Sequence, residues 1–386
     1  MSIDFDPHIQ SSREDPYPLF RELREKHPIV YSEARDMWVV SRYADVRTVL
    51  CDAELFVSGR GTVPTGFTSQ KPMLITQDEP YHTHLRGALH GAFTPRRVRL
   101  LEPLIRRVTR ELLDAMDPKA ECDFMSAFAD PLPVAIVTDI LGLGFEDRDE
   151  FRSHADVLIH ASSNAIESVD EAQEWIYDYV KRILPEREKA PGDDLLSALL
   201  NPAEGVPKLT PDELLGFCSI LLIAGTETTA NGFGNAVYVL HSHPDLRRQL
   251  VQDPSRMKGA VEEFLRLESP VPGLSRVASR DTELAGEKIE KGSRVHMLFA
   301  AANRDEAIFA DPETIVPERS PNSHFAFGFG VHYCLASSLA RLELQIGLQE
   351  ILARFPDFEL VPERWQRIES DAARGFVSLP FRPNPL

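Results

Sequence analysis

The sequence predicts a mainly α-helical fold with small β-sheets, an α+β protein whose strands are segregated along the chain. Three observations predict it. A 3.6-residue hydrophobic pattern dominates residues 82 to about 250. Residues 276–299 alternate as β-strands do, with a turn at 290–292. Residues 210–213 form a capping box with proline at the first helical position, which predicts a helix to about residue 242, roughly 45 Å long.

The remaining predicted elements are shorter and lie nearer the two ends of the chain. Further helices are predicted at 18–26, 43–52 and 261–267, and further strands at 37–40, 358–361 and 376–380. The segment 59–80 is rich in Gly, Thr, Pro and Ser and shows little periodicity. Loops of that length inside a compact domain are usually functional, so we expect this one to line a binding pocket.

The composition argues against several classes of function. The chain has 386 residues, 43% of them hydrophobic, without a linker or repeat, so we expect one domain over residues 1–386. The formal net charge of −18 argues against nucleic acid or an anionic membrane surface as the main partner. The longest apolar stretch, 214–225, is too short to span a bilayer. Four widely separated cysteines and a polar start without a signal-peptide pattern predict a cytoplasmic protein.

Cys334 follows a run of glycines and aromatic residues, Phe327-Gly328-Phe329-Gly330-Val331-His332-Tyr333, and a long helix is predicted from Leu335. Glycine lets a backbone approach a large flat group closely, and a helix start favours a thiolate. No second cysteine lies nearby, whereas zinc or an iron–sulfur cluster requires several ligands of this kind. The run therefore indicates a single thiolate ligand to a metal. The alternative is a buried structural cysteine.

The middle of the long predicted helix carries an acid and several alcohols. The run Ala224-Gly225-Thr226-Glu227-Thr228-Thr229 is locally unfavourable for a helix interior. We expect Gly225 to let the helix loosen beside a ligand, and Glu227 with Thr228 to relay protons through water. Close packing of small residues is the alternative, but it does not account for Glu227.

These two motifs resemble the haem-ligand and oxygen-activation signatures of the cytochrome P-450 superfamily. The cysteine run and the Leu339-Ala340-Arg341 that follows match F-x-x-G-x-x-x-C-x-G/A-x-x-L-A-R, with Ala336 where most relatives have glycine. The resemblance implies the fold of that superfamily, with the long central helix over a haem b whose iron is bound by Cys334. The other residues that it places at the haem are Ala224, Gly225, Phe327, Gly328 and Ala336.

Further positions match the superfamily in ways that imply haem binding or support. Glu263 and Arg266 match its E-x-x-R pair, and Arg319 stands where relatives supply a third partner, so a structural role is expected for all three. Haem propionates need cationic or hydrogen-bonding partners. The residues that the resemblance assigns to them are His82, Arg86, Arg276 and His332.

The implied reaction is a monooxygenation, in which one atom of O2 enters a small organic substrate by hydroxylation or O-demethylation. The chain contains no flavin or iron–sulfur motif, and its similarity to bacterial three-component systems implies a ferredoxin and a ferredoxin reductase as electron donors. An arginine cluster is either a solvated helix face or a docking patch for that donor. Its members are Arg96, Arg97, Arg99, Arg106, Arg107 and Arg110.

The substrate is less strongly indicated than the reaction. Residues 58–61 and 228–232 resemble stretches of bacterial P-450s that oxidise small para-substituted benzoates, so a small aromatic compound is one candidate. Arg60 would then neutralise its carboxylate, or else be a solvated loop residue. Two other classes of protein share the cysteine loop. One is the oxygen-independent or peroxide-driven haem-thiolate enzymes, and the acid–threonine pair argues against this class. The other is the haem-based sensors or binding proteins.

Overall fold

The computed structural model describes residues 14–64, 71–142, 154, 166–192, 194–370 and 372–384. The predicted pocket segment 59–80 is therefore described except for residues 65–70. Residues 1–13 lie outside the described residues. They include most of the polar start of the chain, on which the signal-peptide prediction depends.

Helices make up most of the described structure. In chain order they are α1 (Tyr17–Lys26), α2 (Tyr43–Cys51), α3 (Tyr81–His90), α4 (Pro95–Arg99), α5 (Glu102–Ala115), α6 (Pro131–Ile140), α7 (Ile166–Lys189), α8 (Leu195–Leu200), α9 (Pro211–Ser242), α10 (Pro244–Gln252), α11 (Met257–Leu267), α12 (Phe299–Ala302) and α13 (Ser337–Arg354).

The strands are short. They are β1 (Ile29–Ser32), β2 (Met37–Val40), β3 (Phe56–Val57), β4 (Cys122–Asp123), β5 (Leu274–Ala278), β6 (Thr282–Leu284), β7 (Glu287–Ile289), β8 (Arg294–Met297), β9 (Glu359–Leu360), β10 (Gln366–Arg367), β11 (Phe376–Ser378) and β12 (Pro380–Arg382). The mainly α prediction is confirmed, and so is the strand at 37–40.

The long helix α9 begins where its capping box predicts. The backbone N–H of Thr210 donates to Glu213 Oε2 at 2.6 Å, and the N–H of Glu213 donates to Thr210 Oγ1 at 3.3 Å. By length and mean hydropathy, 1.2 in its most apolar 18-residue window, α9 could cross a membrane, but 67% of that window is buried in the protein. That burial is typical of the central helix of a folded domain.

The described chain divides into two compact units. The first comprises Met1–Thr68, Gly234–Cys334 and Trp365–Phe376, and the second comprises Ser69–Phe233, Leu335–Arg364 and Val377–Leu386. Neither unit is continuous in sequence. One domain over residues 1–386 therefore stays a prediction.

The first unit is built around a five-stranded sheet in the order β1-β2-β8-β5-β3. Strands β5 and β8 are antiparallel and place Ser275 opposite His296 and Arg276 opposite Val295. A core of buried residues, among them Val46, Phe299 and Phe325, packs α2 and α12 against this sheet. Strand β5 and the cysteine run therefore belong to the same unit.

The second unit is mainly helical. Helices α4 and α5 pack on α13, and α5 also packs on α6. A small sheet in the order β4-β12-β9 contributes Phe381, whose ring lies 5.3 Å from Phe124 and 5.0 Å from Phe358 between centroids. Gly347 on α13 allows close packing against α9, because a Cβ there would lie 2.3 Å from the ring of Phe233.

Candidate functional site: a cysteine loop and an acid–threonine helix

The chain around Cys334 folds into a tight loop in the first unit. The backbone N–H of Cys334 donates to the carbonyl of Phe327 at 2.9 Å, which closes the loop. Inside it, Gly330–His332 form a 3₁₀ turn, and the N–H of Tyr333 donates to the carbonyl of Gly330 at 3.1 Å. The side chain of Cys334 is half-buried. Helix α13 begins at Ser337, two residues later than the predicted start at Leu335.

Two glycines make this loop possible. Gly328 has φ +67° and Gly330 has φ +71°, in the left-handed region that residues with a Cβ rarely occupy. A Cβ on Gly330 would also lie 2.6 Å from the carbonyl oxygen of Leu50, at the end of α2. Glycine is therefore required at 330 for both its conformation and its close packing.

The beginning of the loop is held by Asn303. Its Oδ1 accepts a hydrogen bond from the N–H of Phe325 at 2.7 Å, and its backbone carbonyl accepts one from Arg266 Nη1 at 3.0 Å. The ring of Phe325 stacks on Tyr43 with 4.2 Å between centroids. The contact of Asn303 with the loop was not predicted from the sequence.

The E-x-x-R pair has the geometry expected of it. Arg266 donates to the two carboxylate oxygens of Glu263 at 2.7 and 2.9 Å, and both side chains are fully buried. Arg319 Nε donates to the same carboxylate at 3.1 and 3.2 Å. Together they hold the pKa of Glu263 below its usual value despite the effect of burial. Arg319 is confirmed as the third partner.

Two of the four residues predicted to bind propionates lie in the first unit. His332 Nε2 lies 3.1 Å from the buried Ser58 Oγ, a contact that the sequence did not predict. Arg276, on β5, is buried, and its Nη1 donates to the carbonyl of Ser275 at 2.8 Å. Both side chains are thus positioned by neighbours of the same unit.

The other two lie on α3 in the second unit, one helical turn apart. His82 is buried, and its Nδ1 lies 3.2 Å from Glu79 Oε1. Burial lowers the pKa of His82 below its usual value, which favours a neutral ring at neutral pH. Arg86 is half-buried.

The middle of α9 opens on one side only. Residues Ile220, Ile223, Ala224, Glu227 and Thr228 recur at the helical period and are exposed or half-buried, whereas Leu221, Leu222, Thr226, Thr229 and Ala230 are buried. The acid and the threonine that were predicted to act together therefore share one accessible stripe. Ala224 lies one turn before them and is exposed.

The prediction that α9 loosens at Gly225 is wrong for this structure. The helix is continuous from Pro211 to Ser242. Thr228 Oγ1 donates to the carbonyl of Ala224 at 2.6 Å, and Thr229 Oγ1 donates to that of Gly225 at 3.0 Å. These bonds are of the kind that satisfies a threonine inside a helix without breaking it.

Glu227 is half-buried, and the protein atoms packed beside its carboxyl partly desolvate it. Burial raises the pKa of its carboxyl from 4.5 to about 7. At neutral pH the group is divided between its protonated and ionised forms. Such a group can both accept and donate a proton, as a relay requires.

The donor set around the cysteine loop fits one thiolate ligand. No group of three or more His, Cys, Asp or Glu side chains in the described residues could hold a metal ion. Of the other cysteines, Cys122 and Cys218 are unsuited, because burial raises the pKa of Cys122 to about 11 and that of Cys218 to about 12. Cys334, half-buried on a glycine-shaped loop, fits a flat group that binds one sulfur on one face.

Arg60 and Ala336 are both at least partly accessible in the structure. Arg60 is exposed, and its Nη1 would lie 3.9 Å from a Cβ on Gly292. Its side chain therefore lies against the turn before β8. Ala336 is half-buried just before α13, where it is the N-terminal capping residue.

Comparisons with known proteins agree with this arrangement. A model of the cytochrome P450 family matches residues 155–382. Cytochrome P450 109 of Bacillus spizizenii is 37% identical over 385 residues, which cover 97% of this chain and 93% of that protein. The vitamin D(3) 25-hydroxylase of Pseudonocardia autotrophica is 34% identical over 383 residues, covering 96% of this chain and 94% of that one.

Among solved structures, the bacillaene polyketide synthase cytochrome P450 PksS of Bacillus subtilis superposes with a TM-score of 0.92 at 33% identity. The match covers 99% of this chain and 100% of PksS. The superfamily prediction and the fold prediction are both confirmed. The chain belongs to the cytochrome P450 family, and it is a monooxygenase that binds haem b through a cysteine thiolate.

Proposed function

We propose that Cys334 is the thiolate ligand and that this protein oxidises a small organic molecule with electrons from a ferredoxin. The observation that carries the proposal is the cysteine loop, in which one half-buried sulfur follows two glycines in left-handed conformations. When bound, haem b supplies the activation of O2 and the transfer of one oxygen atom to the substrate. The residues of the chain bind this group, move protons and position the substrate.

Binding of the haem is assigned to residues from several elements. His82, Arg86, Arg276 and His332 supply cationic or hydrogen-bonding groups for its two carboxylates. Ala224 and Gly225 on α9, together with Phe327, Gly328 and Ala336 around the cysteine loop, supply small or flat surfaces against its ring. The small side chains at 224, 225 and 336 leave room for a large flat ligand.

Glu227 and Thr228 are assigned to proton delivery. They are adjacent on the accessible stripe of α9, and the pKa of Glu227, about 7, lets it exchange protons with solvent near neutral pH. The Thr228 hydroxyl donates to the Ala224 carbonyl, so its oxygen can still accept a hydrogen bond from a water molecule. Reduction of O2 consumes protons, and these two groups can supply them.

Electrons are assigned to an external ferredoxin and its reductase, since the sequence carries no flavin or iron–sulfur motif. A cytoplasmic location is proposed with them, because such donors are soluble proteins of a reducing compartment. The alternatives of a peroxide-driven enzyme or a sensor are less well supported, because relatives of similar length include a named hydroxylase.

The substrate class is proposed as small and organic, with hydroxylation or O-demethylation as the reaction. The case for an aromatic acid came from the resemblance of residues 58–61 and 228–232, with Arg60 expected to neutralise the carboxylate. The surface position of the Arg60 side chain weakens that part of the case. The relatives are named for vitamin D(3) and for a polyketide pathway, which favours larger apolar molecules as a second candidate class.

Two measurements test this function. Protein reduced with dithionite under CO should give the Soret band of a thiolate-ligated haem, and Cys334→Ser should abolish that band. A panel of para-substituted benzoates, phenols, terpenes, fatty acids and vitamin D(3) should contain a compound that shifts the ferric haem from low to high spin. Absence of the thiolate-type band in the wild-type protein would overturn the proposal.

A further inference from the structure

The first turns of α9 hold the chain segment that leads towards α3. Lys71 Nζ donates to Asp212 Oδ1 at 2.8 Å. A Cβ on Gly216 would lie 2.2 Å from the carbonyl oxygen of Pro72, so the backbone at residue 72 lies directly against α9. All of these residues belong to the second unit. The chain therefore approaches α3 along the start of α9.

Glu213 connects the start of α9 to α3 itself. Its side chain is 5% exposed. Its Oε2 accepts from the N–H of Thr210 in the capping box, while its Oε1 accepts a hydrogen bond of 2.7 Å from the hydroxyl of Tyr81, the first residue of α3. His84 stacks on the Tyr81 ring with 6.1 Å between centroids, and its Nε2 lies 3.7 Å from the same Oε1. One buried carboxylate thus joins the beginnings of two helices.

The hydrogen bond from Tyr81 to Glu213 is charge-assisted. Burial favours the neutral form of Glu213, but hydrogen bonds from Thr210 and Tyr81 together outweigh this effect and hold the pKa of the carboxyl below its usual value. Burial and the bond to Glu213 raise the pKa of Tyr81 to about 12, so at neutral pH the phenol remains a donor to an ionised carboxylate. Such bonds are about twice as strong as bonds between neutral groups.

Two sides of α3 have different roles. Tyr81 and His84, three residues apart, face the start of α9. His82 and Arg86, four residues apart, lie on the adjacent side, about 100° further around the helix. These are the two residues of α3 that are assigned above to the haem carboxylates. The bond from Tyr81 to Glu213 therefore fixes the rotation of the helix that also directs His82 and Arg86.

Within α3, Glu79 restrains the same turn. Its carboxylate accepts from the backbone N–H of Thr83 at 3.2 Å and from the Thr83 hydroxyl at 2.8 Å. It also lies 3.2 Å from His82 Nδ1. The His82 ring is thus held relative to its own helix by Glu79, and the helix is held relative to α9 by Glu213. A rotation of α3 would carry His82 with it.

We propose that Glu213 is a positioning residue which, acting through Tyr81, sets the rotation of α3 and so aligns His82 and Arg86 with the haem carboxylates. This inference rests on the proposed function, which assigns those two residues to the haem. A hydrogen bond weakens steeply as its donor turns away from its acceptor. A small rotation of α3 is therefore enough to weaken the binding of haem.

The test measures the loss of ferric haem to an excess of apomyoglobin. Tyr81→Phe removes the hydroxyl and leaves the capping box intact, so haem should leave at least about fivefold faster, which is the net effect of one typical hydrogen bond. Tyr31→Phe is a matched control, because Tyr31 is also 38% exposed and its hydroxyl also donates to a carboxylate, that of Asp36. This control should lose haem at the wild-type rate.

Two changes at the start of α9 separate the position of α3 from the stability of α9. Thr210→Ala removes the hydroxyl that accepts from the N–H of Glu213 and keeps the bond to Tyr81, so it should lower stability to denaturant without accelerating haem loss. Glu213→Gln still presents an oxygen to Tyr81 and suits a capping box. Its rate of haem loss should therefore lie between those of the wild-type protein and Glu213→Ala.

Reconstitution with protohaem dimethyl ester shows whether the effect passes through the haem carboxylates. Both carboxylates of this haem are blocked, so His82 and Arg86 have no ionised group to bind. The wild-type and Tyr81→Phe proteins should therefore lose the ester at the same rate. If Tyr81 only supported the fold, its replacement would accelerate the loss of both haems equally.

The proposal is overturned if Tyr81→Phe loses unmodified haem no faster than the wild-type protein, or if the acceleration persists with the dimethyl ester. Equal acceleration in Thr210→Ala or Tyr31→Phe would also overturn it. The spectrum of the reduced protein under CO keeps the two proposals separate. A wild-type protein without the thiolate-type band contradicts the proposed function, whereas a normal band with unchanged haem loss in Tyr81→Phe contradicts only the positioning role.

Discussion

Arg266 donates two hydrogen bonds, of 2.7 and 2.9 Å, to the carboxylate of Glu263, and both side chains are fully buried. Through its other terminal nitrogen, Arg266 also reaches the carbonyl of Asn303, whose side chain holds the start of the cysteine loop at Phe325. The pair is therefore part of the support for the loop. Its role follows from these contacts and does not require contact with haem.

Breaking this pair should destabilise the protein strongly. Arg266→Ala leaves the Glu263 carboxylate in the interior with Arg319 as its main cationic partner, so the free energy of unfolding should fall by about 3–5 kcal/mol. Denaturant unfolding measures this loss, and the thiolate-type CO band reports the state of the loop. As a control, Lys26→Ala removes the exposed Lys26–Glu22 pair and should change stability by less than about 1 kcal/mol. Equal effects of both changes would contradict the structural role.

Gly330→Ala should reduce haem incorporation. The new Cβ would lie 2.6 Å from the Leu50 carbonyl, and the backbone would be held at φ +71°. Strain at such a φ costs about 1–3 kcal/mol, and the clash adds to it. Gly286→Ala is a matched control, because Gly286 has φ +93° and no heavy atom near the added Cβ. The ratio of haem to protein should fall in the first variant only, and a normal ratio would show that the loop adapts.

Thr228→Ala should separate electron consumption from product formation. Without the hydroxyl, protons reach the reaction less efficiently, so we expect product per NAD(P)H to fall at least about tenfold while hydrogen peroxide rises. Thr228→Ser keeps the hydroxyl on the same stripe of α9 and should retain most of the coupling. An alanine variant as tightly coupled as the wild-type protein would argue against the relay.

The rate of coupled turnover should depend on Glu227 near neutral pH. Burial raises the pKa of this carboxyl to about 7, so it holds its proton below that pH and loses it above. As a proton donor it should support turnover that declines as the pH rises through about 7. In the Glu227→Gln variant the side chain cannot ionise. This variant should have a lower rate of turnover, and the decline of the rate around pH 7 should disappear. If the turnover rate of the Gln variant still declined around pH 7, the titrating group would be a residue other than Glu227.

Glu343 should make stability fall as the pH rises. This carboxyl is buried on α13, and burial raises its pKa to about 8 from 4.5. The folded protein therefore binds a proton that the unfolded chain has lost, and stability declines between about pH 4.5 and pH 8. Glu343→Gln should remove a decline on the order of 5 kcal/mol across that window, as measured by denaturant unfolding at several pH values.

Glu350 on the same helix provides the opposite case to Glu343. Hydrogen bonds from Arg110 and Arg106 hold the pKa of Glu350 below its usual value. Its contribution is therefore present above the unfolded pKa and is lost on acidification. Glu350→Gln should reduce stability more at neutral than at acidic pH. If the two Gln variants showed the same dependence on pH, the assigned environments would be wrong.

The features that the sequence predicted best are those set by neighbours in the chain. The capping box at Thr210 and Glu213 starts α9 as expected, because both of its bonds lie within one turn. The E-x-x-R spacing puts Glu263 and Arg266 on one side of α11 for the same reason. The later start of α13 and the continuity of α9 at Gly225 were missed, since each depends on hydrogen bonds that spacing alone does not reveal.

By itself, the sequence determined the family, the single thiolate and the neighbouring acid and threonine, because each is written in residues close together along the chain. The tertiary structure decided what those groups experience. It buried Glu343 fully and Glu227 in part, which raises the pKa of each carboxyl. It also compensated Arg106 and Arg110 with Glu350 and left Arg96 on an exposed surface. Solvation and charge pairing depend on contacts between residues that are distant in sequence. Only the folded structure shows which residues make those contacts.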